Sequence, residues 1–446
     1  MALNTHRRTS LLLLAADICA LVLVFNLVLR LRGFVDMPVL WPLGVPVLVF
    51  LASLHLIDGY GARSDMLSLD YASLHLIASF FAALTTLLLT YVLIPSGFEL
   101  QSSRAVILFS FGLLGPLTLG YRRFWYEHSE LDRNERKLVF IGNAEERAIF
   151  QGECLRLGTL SEVLQADPSG PPDGLRAVLK SVEDGTLVVE AIVLKESRAD
   201  LPADISLKLV QLFMGGVPTY TLEIFHEVYW RKIPLYRINP IWLFQEGFQI
   251  AREPVFERIK RLSDVVLALG GLLGSAVVVG AAALAIKLED GGPVFFAQTR
   301  IGLHRVPFRL LKLRTMRVAP DTGDPYTRVG DARITRVGRF LRSARLDELP
   351  QLWNVLRGQM SLIGPRAEWD RLVVDYEREI PSYSFRHMVK PGITGWAQVN
   401  YRYGTGIQDT LRKLEYDLYY IRNFSFMLDA SIVLKTFHVM LLQRGR

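Results

Sequence analysis

Long apolar segments dominate the first quarter of the chain. Four of them lie at 10–31, 38–57, 71–94 and 105–121. A helix that crosses a bilayer needs about 20 predominantly apolar residues, and each segment is close to that length. The pattern therefore predicts a transmembrane bundle of four helices within residues 1–125.

Basic residues flank this predicted bundle on both sides. Arg7 and Arg8 precede the first segment, while Arg122, Arg123 and Arg133 follow the fourth. Loops on the cytoplasmic side of a membrane are enriched in Lys and Arg. Both ends of the bundle are therefore expected in the cytoplasm, which an even number of crossings satisfies.

Shorter apolar runs then indicate a small α/β domain over residues 137–250. A buried strand, a turn and a helix are predicted from Lys137 onward, and a second strand from Val188 to Leu194. Gly142 is a single glycine, whereas a dinucleotide-binding turn needs several for close approach to a pyrophosphate. A structural or regulatory role is favoured over nucleotide binding.

Another long apolar segment occupies 264–286 and contains four glycines. Basic residues lie before it, such as Arg258, and after it, such as Arg305. Because both flanks carry the cytoplasmic signal, we expect a membrane-inserted helix that enters and turns back to the same face. A plain fifth crossing stays open as the alternative.

Overall composition agrees with a membrane protein. Half of the residues are apolar, and the mean hydropathy is +0.25. Cys19 and Cys154 are the two cysteines and lie in unlike sequence, so no disulfide framework is expected. The net charge is +7, and the segment from Arg300 to Arg345 holds twelve Lys and Arg against three Asp. That excess suits phosphates or lipid head groups; nucleic acid is disfavoured because no recognised binding module accompanies it.

Two adjacent carboxylates, Asp347 and Glu348, lie inside this basic region. Pro350 suits the first turn of a helix, so the pair is placed near the positive end of a helix dipole. Such carboxylates can hold Mg²⁺ or attack phosphorus as a nucleophile. An ion pair with Arg345 at the helix start is the structural alternative.

Five motifs follow one another in the region from about Phe256 onward. They are Gly292-Pro293-Val294-Phe295-Phe296, Lys312-Leu313-Arg314-Thr315-Met316, Leu346-Asp347-Glu348-Leu349-Pro350-Gln351, Ser361-Leu362-Ile363-Gly364-Pro365-Arg366 and Lys390-Pro391-Gly392-Ile393-Thr394-Gly395. Together and in this order they resemble the motifs of the bacterial sugar transferase family, whose members are phosphoglycosyl transferases of the monotopic type that act on polyprenyl phosphate.

The resemblance implies transfer of a sugar-1-phosphate from a UDP-sugar to undecaprenyl phosphate, which opens exopolysaccharide or O-antigen synthesis. It implies that Asp347 is the nucleophile of a covalent phosphosugar intermediate and contacts Mg²⁺. Glu348 would support acid–base chemistry or metal placement. A carboxylate can attack phosphorus, and the resulting acyl phosphate is reactive enough to pass the group on.

A cationic shell for the phosphates is expected around the acidic pair. Arg366 is the strongest candidate, since Gly364 and Pro365 before it shape a turn and the family uses the equivalent arginine. The full set of candidates is Lys312, Arg314, Arg342, Arg366 and Arg402. For four other arginines a solvated or lipid-facing helix face is favoured; these are Arg333, Arg336, Arg339 and Arg345.

The resemblance extends to the architecture of the long family members. It implies a membrane α-helical bundle, a Rossmann-like α/β domain and an α+β catalytic domain over 254–446, with the membrane-inserted helix at 264–286. One departure is the absence of the family's Ser-Pro pair in that helix, where the chain reads Gly274-Ser275-Ala276-Val277.

The apolar pattern and the resemblance together predict a multi-pass enzyme of the bacterial inner membrane whose catalytic domain faces the cytoplasm and contacts membrane lipids. The identity of the sugar is open, and the resemblance allows a homodimer. Two other readings remain: a nucleotide-sugar oxidoreductase using the α/β domain, and a non-catalytic scaffold of a polysaccharide assembly complex. The degenerate glycine pattern argues against the first, and the intact acidic pair with Arg366 argues against the second.

Overall fold

The structure, a computed structural model, describes most of the chain. The described residues are 2–33, 40–60, 66–67, 69–93, 104–129, 137–157, 162–166, 172–195, 201–235, 254–317, 331, 333–380, 382–401, 404 and 406–441. They divide into two compact units, Met1–Trp230 and Arg231–Arg446.

The first unit begins with a group of apolar helices. Its helices are α1 (Ala2–Leu31), α2 (Gly44–Leu56), α3 (Leu69–Leu88) and α4 (Arg104–Ser129). Segments of α1, of α4, and of α3 with the π-helical turn that follows it are long and apolar enough to cross a membrane. Three of the four predicted spans are thereby confirmed as helices of sufficient length.

The predicted span at 38–57 is shorter than expected. The apolar helix there covers only Trp41–Leu56, including a 3-10 turn at its start. Pro42 marks the first helical turn, and Asp58 adopts a left-handed backbone with φ of 61° after the helix. Because the helix is bounded by these two residues, it is shorter than the roughly 20 residues that a transmembrane helix normally needs.

A buried ion pair joins α1 to α4. Arg122 donates to the carboxylate of Asp17, and both side chains are 0% exposed. Tyr60, from the turn after α2, donates its hydroxyl to Asp17 Oδ2 at 2.6 Å, and Tyr121 donates to the other carboxylate oxygen. Removing one partner of such a pair would strand a buried charge, so the pair fixes which faces of α1 and α4 meet.

The rest of the first unit is a small parallel sheet with the strand order β2-β1-β3-β4. Its strands are β1 (Lys137–Ile141), β2 (Val163–Ala166), β3 (Val189–Leu194) and β4 (Thr219–Thr221). The helices of this part are α5 (Ala144–Arg156), α6 (Pro172–Glu183), α7 (Ala203–Met214) and α8 (Leu222–Phe225). Apolar clusters lie on both faces of the sheet, as a parallel sheet requires. The two strands predicted from sequence are confirmed as its central pair.

The turn after β1 is closed by side chains of the protein itself. Asn143 accepts a hydrogen bond from the backbone N–H of Glu146 at 2.9 Å and so caps α5. Glu146 in turn pairs with Lys195 at 2.8 Å. A Cβ at Gly142 would lie 2.7 Å from the Phe140 ring, so this glycine is required for packing.

The second unit opens with one uninterrupted helix, α9 (Pro254–Asp290), of 37 residues. No break interrupts α9, so the predicted turn within 264–286 is not seen in the backbone, and the membrane face on which each end of α9 lies stays a prediction. The segment has no proline after Pro254, and its glycines, Gly270 and Gly280 among them, keep negative φ values. Glycine lowers helix propensity by about 1 kcal/mol per residue but does not by itself kink a helix.

Around α9 the second unit is a mixed α and β fold, as predicted for the region after Pro293. Its strands are β5 (Phe295–Ile301), β6 (Pro307–Leu313), β7 (Ser361–Ile363) and β8 (Gly392–Thr394). Its further helices are α10 (Arg336–Ser343), α11 (Gln351–Leu356), α12 (Asp370–Glu379), α13 (Trp396–Asn400), α14 (Ile407–Arg422) and α15 (Phe426–Leu441). β5 and β6 form an antiparallel hairpin, and β7 pairs with β8 in parallel.

Helix α9 packs against this fold near both of its ends. Phe256, close to the start of α9, packs against one apolar cluster of the second unit. Ala268, near the middle, lies in a cluster with residues of β6 and α11, and Ala282 and Ile286, close to the end, lie in one with residues of β6 and α10. The opposite face is apolar and exposed, with Leu273 at 71% and Val277 at 83%. One stripe of α9 therefore belongs to the core, and the other lacks a partner among the described residues.

Candidate active site

The acidic pair lies in a single 3-10 turn, Leu346–Glu348, directly before α11. Arg345 enters this turn in the left-handed region with φ of 54°, and Pro350 immediately precedes α11, which confirms the predicted helix start. Asp347 is 8% exposed, and the Glu348 side chain is 12% exposed. The turn thus holds two neighbouring carboxylates largely out of water.

Three cations converge on Glu348. Lys312 Nζ, from β6, lies 3.2 Å from Glu348 Oε1, and Arg366 Nη2, after β7, lies 3.6 Å from the same oxygen. Arg345 Nη1 lies 3.6 Å from Glu348 Oε2. Because Lys312 and Arg366 come from distant parts of the chain, folding of the second unit is what assembles the site.

This arrangement keeps Glu348 ionised. Burial disfavours the charged carboxylate, but Lys312, Arg366 and Arg345 together outweigh that penalty and lower the pKa of Glu348 to about 2. At neutral pH Glu348 is therefore an anion that holds the cations in place. Its neighbours leave it little capacity to act as a proton donor.

Asp347 is perturbed in the opposite direction. Burial is the largest effect and raises its pKa, with Lys312 and Arg342 opposing the rise and the Glu348 charge adding to it. Burial likewise lowers the pKa of Lys312, although the adjacent Glu348 opposes that shift. A carboxylate whose pKa is raised is a stronger base than a free aspartate, which favours attack on an electrophile.

Close backbone contacts fix the turn that carries Arg366. Gly364 donates its N–H to the carbonyl of Thr394 at 2.9 Å, and Gly392 donates to the carbonyl of Pro365 at 2.8 Å. A Cβ at Gly392 or Gly395 would collide with backbone atoms of Gly364. We call the crossing of Gly364, Gly392 and Gly395 the glycine crossing. It explains why both motifs contain glycine at these positions.

A buried arginine, Arg386, holds the same turn through a hydrogen bond to its backbone. Arg386 donates through Nη2 to the carbonyl of Arg366 at 2.9 Å and to Asp417 Oδ2 at 2.9 Å, and through Nη1 to the hydroxyl of Tyr383 at 2.6 Å. Sequence reasoning did not single out Arg386. Its partners are distant in the chain, and no local motif signals their meeting.

The predicted cationic shell is assembled in part. Lys312 and Arg366 contact Glu348 as expected. Arg342 donates through Nε to Thr315 Oγ1 at 2.9 Å and lies near enough to lower the pKa of Asp347. Arg314 instead binds Asp290 at the end of α9. Arg402 lies outside the described residues.

A surface position was favoured for Arg345, but the structure places it against Glu348, which confirms the alternative of an ion pair at the helix start. Its position three residues before Glu348 in a tight turn was the available signal. Arg336 and Arg339 are exposed, in agreement with the surface interpretation.

Residues 255–443 match the family described as bacterial sugar transferase, a segment that begins in α9 and holds the acidic pair with Lys312 and Arg366. An exopolysaccharide production protein, PSS, of Rhizobium leguminosarum bv. phaseoli is 39% identical over 185 residues, which are 40% of this chain and 92% of that protein. The chain belongs to the bacterial sugar transferase family.

Two further bacterial sugar transferase relatives carry names that state an activity. The UDP-glucose:undecaprenyl-phosphate glucose-1-phosphate transferase of Caulobacter vibrioides is 48% identical over 182 residues, or 40% of this chain and 67% of that protein. The UDP-N-acetylgalactosamine-undecaprenyl-phosphate N-acetylgalactosaminephosphotransferase of Aeromonas hydrophila is 38% identical over 258 residues, or 58% of this chain. The match covers 60% of the Aeromonas protein's own length.

Proposed function

We propose that this protein transfers a sugar-1-phosphate from a UDP-sugar to undecaprenyl phosphate, and so initiates exopolysaccharide or O-antigen synthesis. The observation that carries the proposal is the pairing of a buried Asp347 of raised pKa with a Glu348 held by three cations. The names of the Caulobacter and Aeromonas relatives support the two substrate classes.

In the first step a carboxylate oxygen of Asp347 attacks the phosphorus that bears the sugar. The bond from that phosphorus to the bridging oxygen of the diphosphate breaks, and UMP leaves with the electron pair. An aspartyl phosphosugar remains on the protein. Lys312, Arg345 and Arg366 lie around the neighbouring carboxylate, where cations would offset charge on phosphoryl oxygens.

In the second step a phosphate oxygen of undecaprenyl phosphate attacks the same phosphorus. The aspartyl oxygen–phosphorus bond breaks, which regenerates the Asp347 carboxylate and yields the sugar diphospho-lipid. No proton must be removed from the phosphate nucleophile if it arrives as a dianion. This fits the absence of a free general base in Glu348, whose pKa is about 2.

The side chains present fit the expected Mg²⁺. The described residues contain no cluster of three or more His, Cys, Asp or Glu side chains that could hold a metal by themselves. Mg²⁺ commonly binds one or two carboxylates plus substrate phosphates and water. Asp347 is the ligand we propose, because Glu348 is already engaged by cations. Bound Mg²⁺ would neutralise charge on the transferring phosphoryl group.

The setting of the reaction follows from its two substrates. We propose that the second unit works at the cytoplasmic face of the inner membrane, where a soluble nucleotide donor meets a lipid acceptor. The sheet of the first unit, with its order β2-β1-β3-β4, would be the Rossmann-like domain of the long family members. Its capped turn at Asn143 supports a structural or regulatory role there.

The test compares wild type with Asp347→Asn in the presence of Mg²⁺, undecaprenyl phosphate and a panel of UDP-sugars. Wild type should release UMP and form labelled lipid. The variant should lose at least about 1,000-fold in rate, because the amide keeps the shape but is not an anionic nucleophile. Labelled phosphosugar should be trapped on wild type alone.

Other outcomes would point elsewhere. Normal turnover in Asp347→Asn removes this residue from its role. Reduction of a nicotinamide cofactor without UMP release would support an oxidoreductase, and neither activity would support a scaffold.

A further inference from the structure

A cavity of about 190 Å³ opens beside the acidic pair. Arg345 and Glu348 are among the residues that line it. Leu349 and Leu352, from the α11 region, and Val439 and Met440, from α15, contribute apolar lining. Neither chemical step of the proposed reaction places a group in this cavity.

The lining of the cavity is suited to an apolar ligand. Its two threonine hydroxyls are occupied, because Thr436 Oγ1 donates to the carbonyl of Ile432 at 2.7 Å and lies 2.8 Å from Thr394 Oγ1. The Gln398 amide nitrogen donates to the carbonyl of Ile393 at 3.1 Å, while its Oε1 has no hydrogen-bond partner among the described residues. Apart from Arg345, Glu348 and this one oxygen, mainly methyl and methylene groups are left for a ligand to contact.

A single side chain, Leu352, separates the cavity from helix α9. Leu352 lines it and also packs on α9, where a Cβ at Gly271 would lie 3.0 Å from Leu352 Cδ1. Leu273, on α9, is 71% exposed. A lipid chain coming from the surface that α9 shares with a bilayer would have a short path to the cavity.

We infer that this cavity receives the first isoprenoid units of the polyprenyl phosphate acceptor. The inference rests on the proposed function and adds the place of the acceptor chain. With the chain against Leu352 and Val439, its phosphate would lie beside Arg345, in the turn region that also carries Glu348 and Asp347. An arginine suits that phosphate, and apolar walls suit the branched hydrocarbon.

The test fills the cavity without touching the acidic pair. Val439→Phe adds volume inside it, and Met440→Trp adds volume at a position that is 41% exposed and so tolerates a large side chain. Val433→Phe is the matched control, since Val433 is partly exposed on the same helix and does not line the cavity.

Two reactions are measured for each protein. Exchange of labelled UMP into the UDP-sugar that wild type prefers reports the donor step and needs no acceptor. Transfer to undecaprenyl phosphate and to farnesyl phosphate reports the acceptor step. Both cavity variants should keep the exchange rate and raise KM about tenfold for both acceptors, the loss expected from expelling one or two buried methylenes. Val433→Phe should match wild type.

The failures are distinguishable. No exchange or transfer by wild type would overturn the proposed function itself. Normal exchange with unchanged acceptor KM in both cavity variants would overturn the cavity assignment. A raised donor KM with slowed exchange would place the sugar in the cavity, where Gln398 Oε1 is without a hydrogen-bond partner among the described residues. The acceptor KM of Val439→Phe is interpreted only if this variant keeps the wild-type exchange rate. If Val439→Phe loses exchange, the acceptor KM of Met440→Trp is the deciding measurement.

Discussion

Two neighbouring carboxylates in one turn are driven in opposite directions by their surroundings. Three cations surround Glu348 and lower its pKa to about 2, whereas burial raises the pKa of Asp347. Glu348 therefore stays ionised and holds the surrounding cations in place. Asp347 is left as the more basic, partly desolvated carboxylate, which suits the proposed nucleophile. Lys312 is central because its ammonium group affects both carboxylates.

The first prediction concerns the geometry of the phosphate contact. Arg366→Lys should lower the transfer rate about 100-fold at subsaturating donor, because an ammonium group cannot reproduce a forked guanidinium contact. Arg336→Lys makes the same chemical change on the exposed face of α10 and should stay within about twofold of wild type. Steady-state rates with labelled UDP-sugar measure both. Equal rates for the two variants would mean that Arg366 does not clamp a phosphate.

The second prediction concerns pH and stability. The folded pKa of Glu348, about 2, lies below the ordinary value of 4.5. Its ionised form therefore stabilises the fold fully above about pH 4.5, and this contribution is lost as the pH falls toward 2. Glu348→Gln should lower Tm by several degrees at neutral pH, and the gap to wild type should narrow in acid.

Thermal unfolding in detergent between about pH 3 and 7 checks this. Glu379→Gln, on the exposed end of α12, is the control and should follow wild type. A Tm gap that stays constant down to pH 3 would show that the ionisation of Glu348 is not linked to folding.

At the scale of elements, the apolar pattern predicted what depends on local sequence. Three long helices of the first unit, the strands β1 and β3, and the start of α11 directly after Pro350 were all predicted from local sequence and are confirmed. The apolar pattern did not predict the continuity of α9, because the charge rule concerns the flanks of a segment and not the path of its backbone. The structure shows α9 in contact with the globular fold near its start, at its middle and near its end, through Phe256, Ala268 and Ile286.

The third prediction tests the glycine crossing. Gly395→Ala should abolish transfer and destabilise the second unit, since its Cβ would collide with the carbonyl oxygen of Gly364. Gly280→Ala, in α9, meets no atom within 4 Å and should be neutral or stabilising by up to about 1 kcal/mol. Thermal unfolding and the transfer assay are read together. A fully active Gly395→Ala enzyme would show that the two backbones need not approach so closely.

At the scale of the whole molecule, contacts between residues distant in the chain determine the boundary between the two units and the assembly of the site, and local sequence did not predict either. Lys232 is buried against Glu415 with an Nζ to Oε2 distance of 3.2 Å, and Ile233 donates its N–H to the Glu415 carbonyl at 3.0 Å. Residues 231–235 therefore belong with the second unit, although the apolar pattern placed them in the middle domain. Arg366 and Lys312 meet at Glu348 for the same reason, across separations that no local motif reports.

The fourth prediction is the topology of α9. Because α9 packs on the same globular fold near both ends, the chain before and after it should lie on one side of the membrane. Single cysteines at Arg258 and Val306, both exposed, in a background without Cys19 and Cys154, report this. Both probes should resist a membrane-impermeant reagent added from the periplasm and react after lysis. Periplasmic labelling at Val306 with protection at Arg258 would establish a fifth crossing.

The pair of Asp17 and Arg122 has a consequence for biosynthesis. The two residues are 105 positions apart, so a ribosome working at 5 to 20 residues per second makes Arg122 roughly 5 to 20 s after Asp17. During that interval an acidic residue sits in a helix apolar enough to enter the bilayer, at a cost of a few kcal/mol. Tyr60, only 43 positions later, can reach Asp17 first. Membrane insertion of α1 should therefore be completed late, once α4 has left the ribosome, and a chain stopped before Arg122 should retain α1 at the membrane less securely.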